Sequence, residues 1–136
     1  MTLYLGVDPG RSKTGLALVR DDGSIMRLHI AKMDSFEEEL LNFCQDVDIV
    51  AVVLGDGTNS AYVAQQIARL FPALEQNVVG EAYSTEEARK LYWEVNPPKG
   101  WRKLVPLGLL VPDEPMDAYA AVVQVRRWLK IGENYE

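Results

Sequence analysis

Three apolar runs within the first 33 residues, separated by breaks of four residues each, constrain this chain more than any other feature. "LYLGVD" ends at a turn over Pro9–Ser12, "KTGLALVR" ends at "DDGS" (Asp21–Ser24), and "IMRLHIAKM" completes the set. A parallel crossover needs a dozen or more residues, so such short breaks force antiparallel pairing, and Asp-Gly is itself a hairpin signal. The three runs therefore read as an antiparallel meander. The first is almost continuously apolar, as a central strand is. The third alternates in part, which suits an edge strand with one solvated face.

The period then changes. "DSFEEELLNFCQD" carries Ser35 with Glu38 three residues on, a capping-box signature, and Phe36, Leu40 and Cys44 on one helical stripe. "DIVAVVLG" (Asp48–Gly55) reads as a buried strand, and "SAYVAQQIARLF" places Val63, Ile67, Leu70 and Phe71 at helical spacing. "NVVGE" (Asn77–Glu81) is a short strand ending in a carboxylate. "STEEARKLYWEV" repeats the capping box with Ser84 and Glu87 and sets Ala88, Leu91, Tyr92 and Val95 on one face; Pro97, Pro98 and Gly100 end it. After a mixed loop, "PMDAYAAVVQVRRWLK" starts a last helix with Pro115 near its first turn and a core stripe of Ala118, Ala121, Val122, Val125 and Leu129.

The order β-β-β-α-β-α-β-α-α implies an α/β fold: a five-stranded mixed sheet, a three-strand meander followed by alternating strands and helices, with helices on both faces. No repeat, linker or composition shift divides the sequence, so residues 1–136 are expected to form one domain. Sites in such sheets form at the carboxyl ends of strands near a topological switch, where Asp8 and Glu81 both fall.

Composition narrows the function classes. Hydrophobic residues make up 48% and charged ones 25%, the balance of a soluble protein, and runs such as "IVAVVLG" are too short to span a bilayer. The N-terminus lacks a basic region and cleavage site, and the single cysteine, Cys44, excludes an internal disulfide framework or a cysteine-rich zinc site. A cytoplasmic protein with no membrane partner is expected. The net charge of −6 weighs against a generic nucleic-acid binder but not against an enzyme with carboxylate-bound metal and a local basic patch.

Four carboxylates are candidates for such a site. Asp8 ends the first strand, Glu81 ends the fifth, and Glu114 and Asp117 stand three residues apart at the start of the last helix, on a shared face. Asp117 is four residues before Ala121, beside the core stripe, where an acid needs compensation for its desolvation. Singly, each has a plainer role: Asp8 as a turn former, Glu81 as an exposed strand end, the other two as acids complementing a helix dipole. Jointly they are hard oxygen ligands suited to Mg²⁺ or Mn²⁺. His29, the only histidine, lies on the predicted edge strand as a surface residue.

"GVDPGRSKTGLAL", the glutamate before "STEEA", and "EPMDAYAAVVQVRRWL" resemble the RNase H-like Holliday-junction resolvase superfamily, within it the YqgF-type proteins, with features similar to RuvC. The resemblance spans nearly the whole chain. It implies an RNase H-like fold, catalytic and metal-holding roles for Asp8, Glu81 and Asp117, and an additional metal-site acid at Glu114. It also implies a two-metal Mg²⁺ or Mn²⁺ nuclease acting on branched DNA or on structured or precursor ribosomal RNA. A homodimer is expected if the substrate is a four-way junction. The sequence departs from the pattern at Lys13, where arginine is usual, and at Gly80 and Ala82 around Glu81, where an aspartate and an arginine are usual.

Candidate nucleic-acid contacts are Arg11 and Lys13, close in sequence to Asp8, and the cluster Lys99, Trp101, Arg102 and Lys103 in "NPPKGWRK". Trp101 either stacks on an unpaired base or packs on the protein body. "GDGTNS" (Gly55–Ser60) is either a phosphate-receiving helix start or a turn with Ser60 as N-cap. Two other functions compete with the nuclease: a nucleic-acid- or protein-binding module that kept the fold without turnover, and an actin-like kinase, which needs two such domains to enclose a nucleotide where these 136 residues have room for one.

Overall fold

The computed structural model describes residues 2–80, 84–106, 109–110, 112 and 115–130. The expected meander is present as β1 (Leu3–Asp8), β2 (Lys13–Arg20) and β3 (Ile25–Lys32), with β2 antiparallel to both neighbours. There follow α1 (Phe36–Phe43), β4 (Ile49–Gly55), α2 (Ser60–Leu70), β5 (Glu75–Val79), α3 (Ser84–Val95) and α4 (Asp117–Leu129), with 3-10 turns at Met33–Ser35 and Gly100–Leu104. The sheet order is β3-β2-β1-β4-β5, and β1, β4 and β5 run parallel. Val7 pairs with Leu54 and Gly55 with Val79, so the carboxyl ends of these three strands share one edge of the sheet.

Strand alternation divides the core. Leu5, Val7, Leu16, Leu18, Val52 and Leu54 face α1 and α2, whereas Ala17, Val19 and Val53 face α3 and α4. Asp8 therefore shares the parity of Gly6, the face that α4 covers. That helix approaches the sheet very closely. A Cβ on Gly6 would lie 2.6 Å from the Ala121 carbonyl oxygen, and one on Gly15 would lie 2.0 Å from that of Asp117. Two glycines in the strands and the alanines of "DAYAA" thus permit backbone-to-backbone contact, and every residue from Ala118 to Val125 is buried.

Several expected details are corrected. Ser35 makes no capping bond to a backbone N–H; its hydroxyl bonds the Glu39 carboxylate, since Ser35 belongs to the preceding 3-10 turn. Ser60 is the first residue of α2, and Asn59 is its cap, in the left-handed region at φ 70°. On α3, Val95 is exposed and Trp93 is buried in its place, drawn in by Tyr92, which stands edge-on to both Trp93 and Tyr119. The side chain of Ser84 lies outside the described residues. The fifth strand runs from Glu75 to Val79, two residues upstream of the expected span. The last helix begins at Asp117, not Pro115, its first backbone bond being Ala120 N–H to the Met116 carbonyl. The face that Glu114 was expected to share with Asp117 falls outside the described residues.

Cys44 is buried as expected, and desolvation pushes its thiol up to about 11. Among the described residues no helix is long and apolar enough to cross a membrane.

Candidate functional site

Polar groups gather at the end of β1 where the start of α4 rests against the sheet. Asp8 pairs in register with Gly15 of β2, and the absence of a side chain on Gly15 lets the Asp117 backbone rest against that strand. Two acids 109 positions apart in sequence are thereby brought to the same edge. Lys13, at the start of β2, places its Nζ 3.6 Å from Asp117 Oδ2, with both side chains partly exposed. Gln124, two helical turns beyond Asp117, donates from Nε2 to Asp8 Oδ1 at 3.0 Å.

The neighbouring loops are tied to this edge. Asn59 Nδ2 donates to the Gly10 carbonyl at 3.0 Å, joining the loop after β4 to the turn after β1. The left-handed backbone of Asn59 turns its side chain across the gap instead of onto the α2 N-terminus, where it makes no capping bond. At the end of β5, Arg127 donates from Nη1 to the Gly80 carbonyl at 3.0 Å and holds Glu87 through Nε and Nη2, both at 3.2 Å. One arginine of α4 thus anchors α3 and the residue that precedes Glu81.

Of the expected site residues, Asp8, Lys13 and Asp117 come together. Lys13, expected as a phosphate contact, is engaged with Asp117. Glu81 and Glu114 lie outside the described residues. Arg11 is exposed in the turn after β1. Lys99, Trp101, Arg102 and Lys103 belong to the separate connection between α3 and α4. There Trp101 is 70% exposed, so it does not pack on the body, and the Arg102 guanidinium stands 6.0 Å from its ring centroid. Lys99 and Arg102 also line an open groove of about 500 Å³ with Trp93 and Asn96. His29, on edge strand β3, bonds Glu39 at 2.7 Å.

The donor chemistry at the edge fits a hard divalent cation. Asp8 and Asp117 supply carboxylate oxygens, and no sulfur or imidazole ligand intrudes on the contacts described. Among the described residues no group of three acids, histidines or cysteines forms a metal cage. Two of the four expected ligands fall outside that set.

Sequence reasoning missed Gln124, Arg127 and Asn59. Gln124 had a signal, as the one amide in the apolar stretch "AYAAVVQV" and seven residues from Asp117. Arg127 and Asn59 had none, because their partners are set by how distant elements dock.

No protein-family model matches the chain, and no curated protein matches it in sequence. Solved structures do match it. The RuvC of T. thermophilus, in complex with Holliday junction substrate, has a TM-score of 0.60 at 14% identity, over 96% of each chain. The Fowlpox virus resolvase, in complex with Holliday junction DNA, has a TM-score of 0.59 at 10% identity, over 94% of this chain and 97% of its own. A ROK family transcriptional regulator matches 66% of this chain at a TM-score of 0.47 and 15% identity, and this chain spans 30% of its length. The end-to-end likeness to the two resolvases identifies the fold as RNase H-like.

Proposed function

We propose that this chain is a metal-dependent nuclease that hydrolyses phosphodiester bonds in branched DNA. The observation that carries this reading is the seat of α4 over Gly15, which brings Asp117 to the edge of the sheet where Asp8 ends β1. It is supported by the fold shared along the full length with two proteins solved on Holliday junctions. Asp8 and Asp117, joined by Glu81 and Glu114, would hold Mg²⁺ or Mn²⁺. The bound metal would supply an activated water and charge stabilisation for the leaving oxygen. Arg11 and Lys13 would attract the scissile phosphate, and Lys99, Arg102 and Lys103 would neutralise phosphates farther along the substrate. Trp101, exposed beside Arg102, offers a stacking face for an unpaired base. Paired cuts across a four-way junction require two sites, so a homodimer is expected on that substrate.

A second reading, a binding module without turnover, is favoured by one observation. Lys13 already places a cation 3.6 Å from Asp117, which can stand in for part of the charge a metal would bring.

The test is a cleavage panel of four-way junctions, single strands and structured RNA with Mg²⁺ or Mn²⁺, with Asp8→Asn and Asp117→Asn as controls. Junction cleavage lost in both variants is expected. Cleavage of structured RNA alone would move the substrate to RNA. Junction binding with no cleavage and no metal affinity would leave the binding module.

A further inference from the structure

Gln124 is fully buried in the middle of the apolar face-to-face packing of α4, where Val122, Val123 and Val125 surround it in sequence. Its amide reaches across the whole chain, 116 residues in sequence, to a single atom of the site, Asp8 Oδ1. Gln124 Oε1 is buried and has no hydrogen-bond partner among the described residues. An amide oxygen buried without a partner costs stability, so packing alone would be served better by methionine or leucine of similar volume.

An ionised carboxylate only accepts hydrogen bonds, so Nε2 must face Asp8 and Oε1 must turn away. The amide therefore selects one orientation of the Asp8 carboxylate. A neutral donor does this without cancelling the negative charge that a divalent cation needs, in contrast to Lys13 at Asp117. Donors behind metal-bound carboxylates fix ligand orientation and tune affinity in this manner.

We infer that Gln124 is a positioning residue that holds the Asp8 carboxylate in its metal-binding orientation. This rests on the reading of Asp8 as a metal ligand. The orphaned Oε1 is the structural cost of a buried amide whose N–H serves the site.

The experiment uses the full chain, first without nucleic acid for metal binding and then with a four-way junction for turnover. Mn²⁺ affinity is measured from the free-ion electron paramagnetic resonance signal for the wild type, Gln124→Met, Asp8→Asn and the double variant, with urea denaturation as the fold control. Gln124→Met is expected to be at least as stable as the wild type while its Mn²⁺ dissociation constant rises about tenfold. On a four-way junction its kcat should fall with KM unchanged. In the Asp8→Asn background the same substitution should change Mn²⁺ affinity no further, because the carboxylate it acts through is gone. Gln124→Asn, which keeps the amide but retracts it by one carbon, should also weaken Mn²⁺ binding and serves if the methionine variant does not fold. Either variant folded, with wild-type Mn²⁺ affinity, would overturn the role of Gln124 alone. A wild type that binds no Mn²⁺ and cleaves no junction would overturn the nuclease reading together with it.

Discussion

Replacing Gly15 by alanine tests the contact on which the site depends. The added Cβ would stand 2.0 Å from the Asp117 carbonyl oxygen, 2.2 Å from its carbon and 2.7 Å from the Ala118 nitrogen. All three are backbone atoms, so no side-chain rotation relieves the clash. Restoring ordinary contact requires the start of α4 to retreat by about 1.4 Å, with loss of dispersion contacts along the face it leaves. Overpacking a core costs about 1–3 kcal/mol when side chains can adjust, so a clash with rigid backbone belongs at the upper end, about 3 kcal/mol. For a chain of this size that is a fall in Tm of roughly 10 °C. Urea denaturation gives the number directly, provided the slope of the transition is unchanged and only its midpoint moves. Gly80→Ala is the matched control, because a Cβ there meets nothing within 4 Å; it should be neutral or stabilising by up to about 1 kcal/mol. Gly15→Ala within about 0.5 kcal/mol of Gly80→Ala would refute the close seating of α4 and, with it, the route by which Asp117 reaches the site.

Lys13→Met removes the cation beside Asp117. Because both side chains are partly exposed, stability should move by less than about 0.5 kcal/mol, while calorimetric Mn²⁺ affinity should rise as the competing charge leaves. Arg127→Ala breaks the bonds to Glu87 and to the Gly80 carbonyl and should cost about 1–3 kcal/mol in urea denaturation, as expected for charge-assisted bonds of a largely buried arginine. Cys44, with its thiol raised to about 11 by burial, should resist a thiol reagent at pH 8 in the native protein and react fully in urea. The Ser35 hydroxyl bond, opposed in part by desolvation and reinforced by His29, holds the Glu39 carboxyl below its ordinary 4.5. Its contribution is therefore present above pH 4.5 and lost as pH falls through the folded value, so Glu39→Gln should flatten the acid limb of a stability–pH profile.

The sequence by itself determined the elements, because hydrophobic period, turn chemistry and helix stops act over a few residues. β2 and α3 occupy the spans that "KTGLALVR" and "STEEARKLYWEV" imply, and the meander followed from breaks too short for any crossover. It also marked Asp8 and Asp117 as candidates, since a carboxylate at a strand end and one beside a core stripe are local anomalies. Only the tertiary structure decided what those acids touch. Lys13 meets Asp117, Gln124 meets Asp8 and Asn59 meets Gly10 through docking that no local pattern encodes. Val95 and Trp93 exchange places for the same reason, as the face of α3 is set by Tyr119 of the helix packed on it. The physical cause is common to all of them. Periodicity specifies which face of an element is apolar, but the distance at which two backbones meet depends on facing residues far apart in the chain. Here that distance is set by Gly6 and Gly15, which look like ordinary strand glycines until α4 is laid against them.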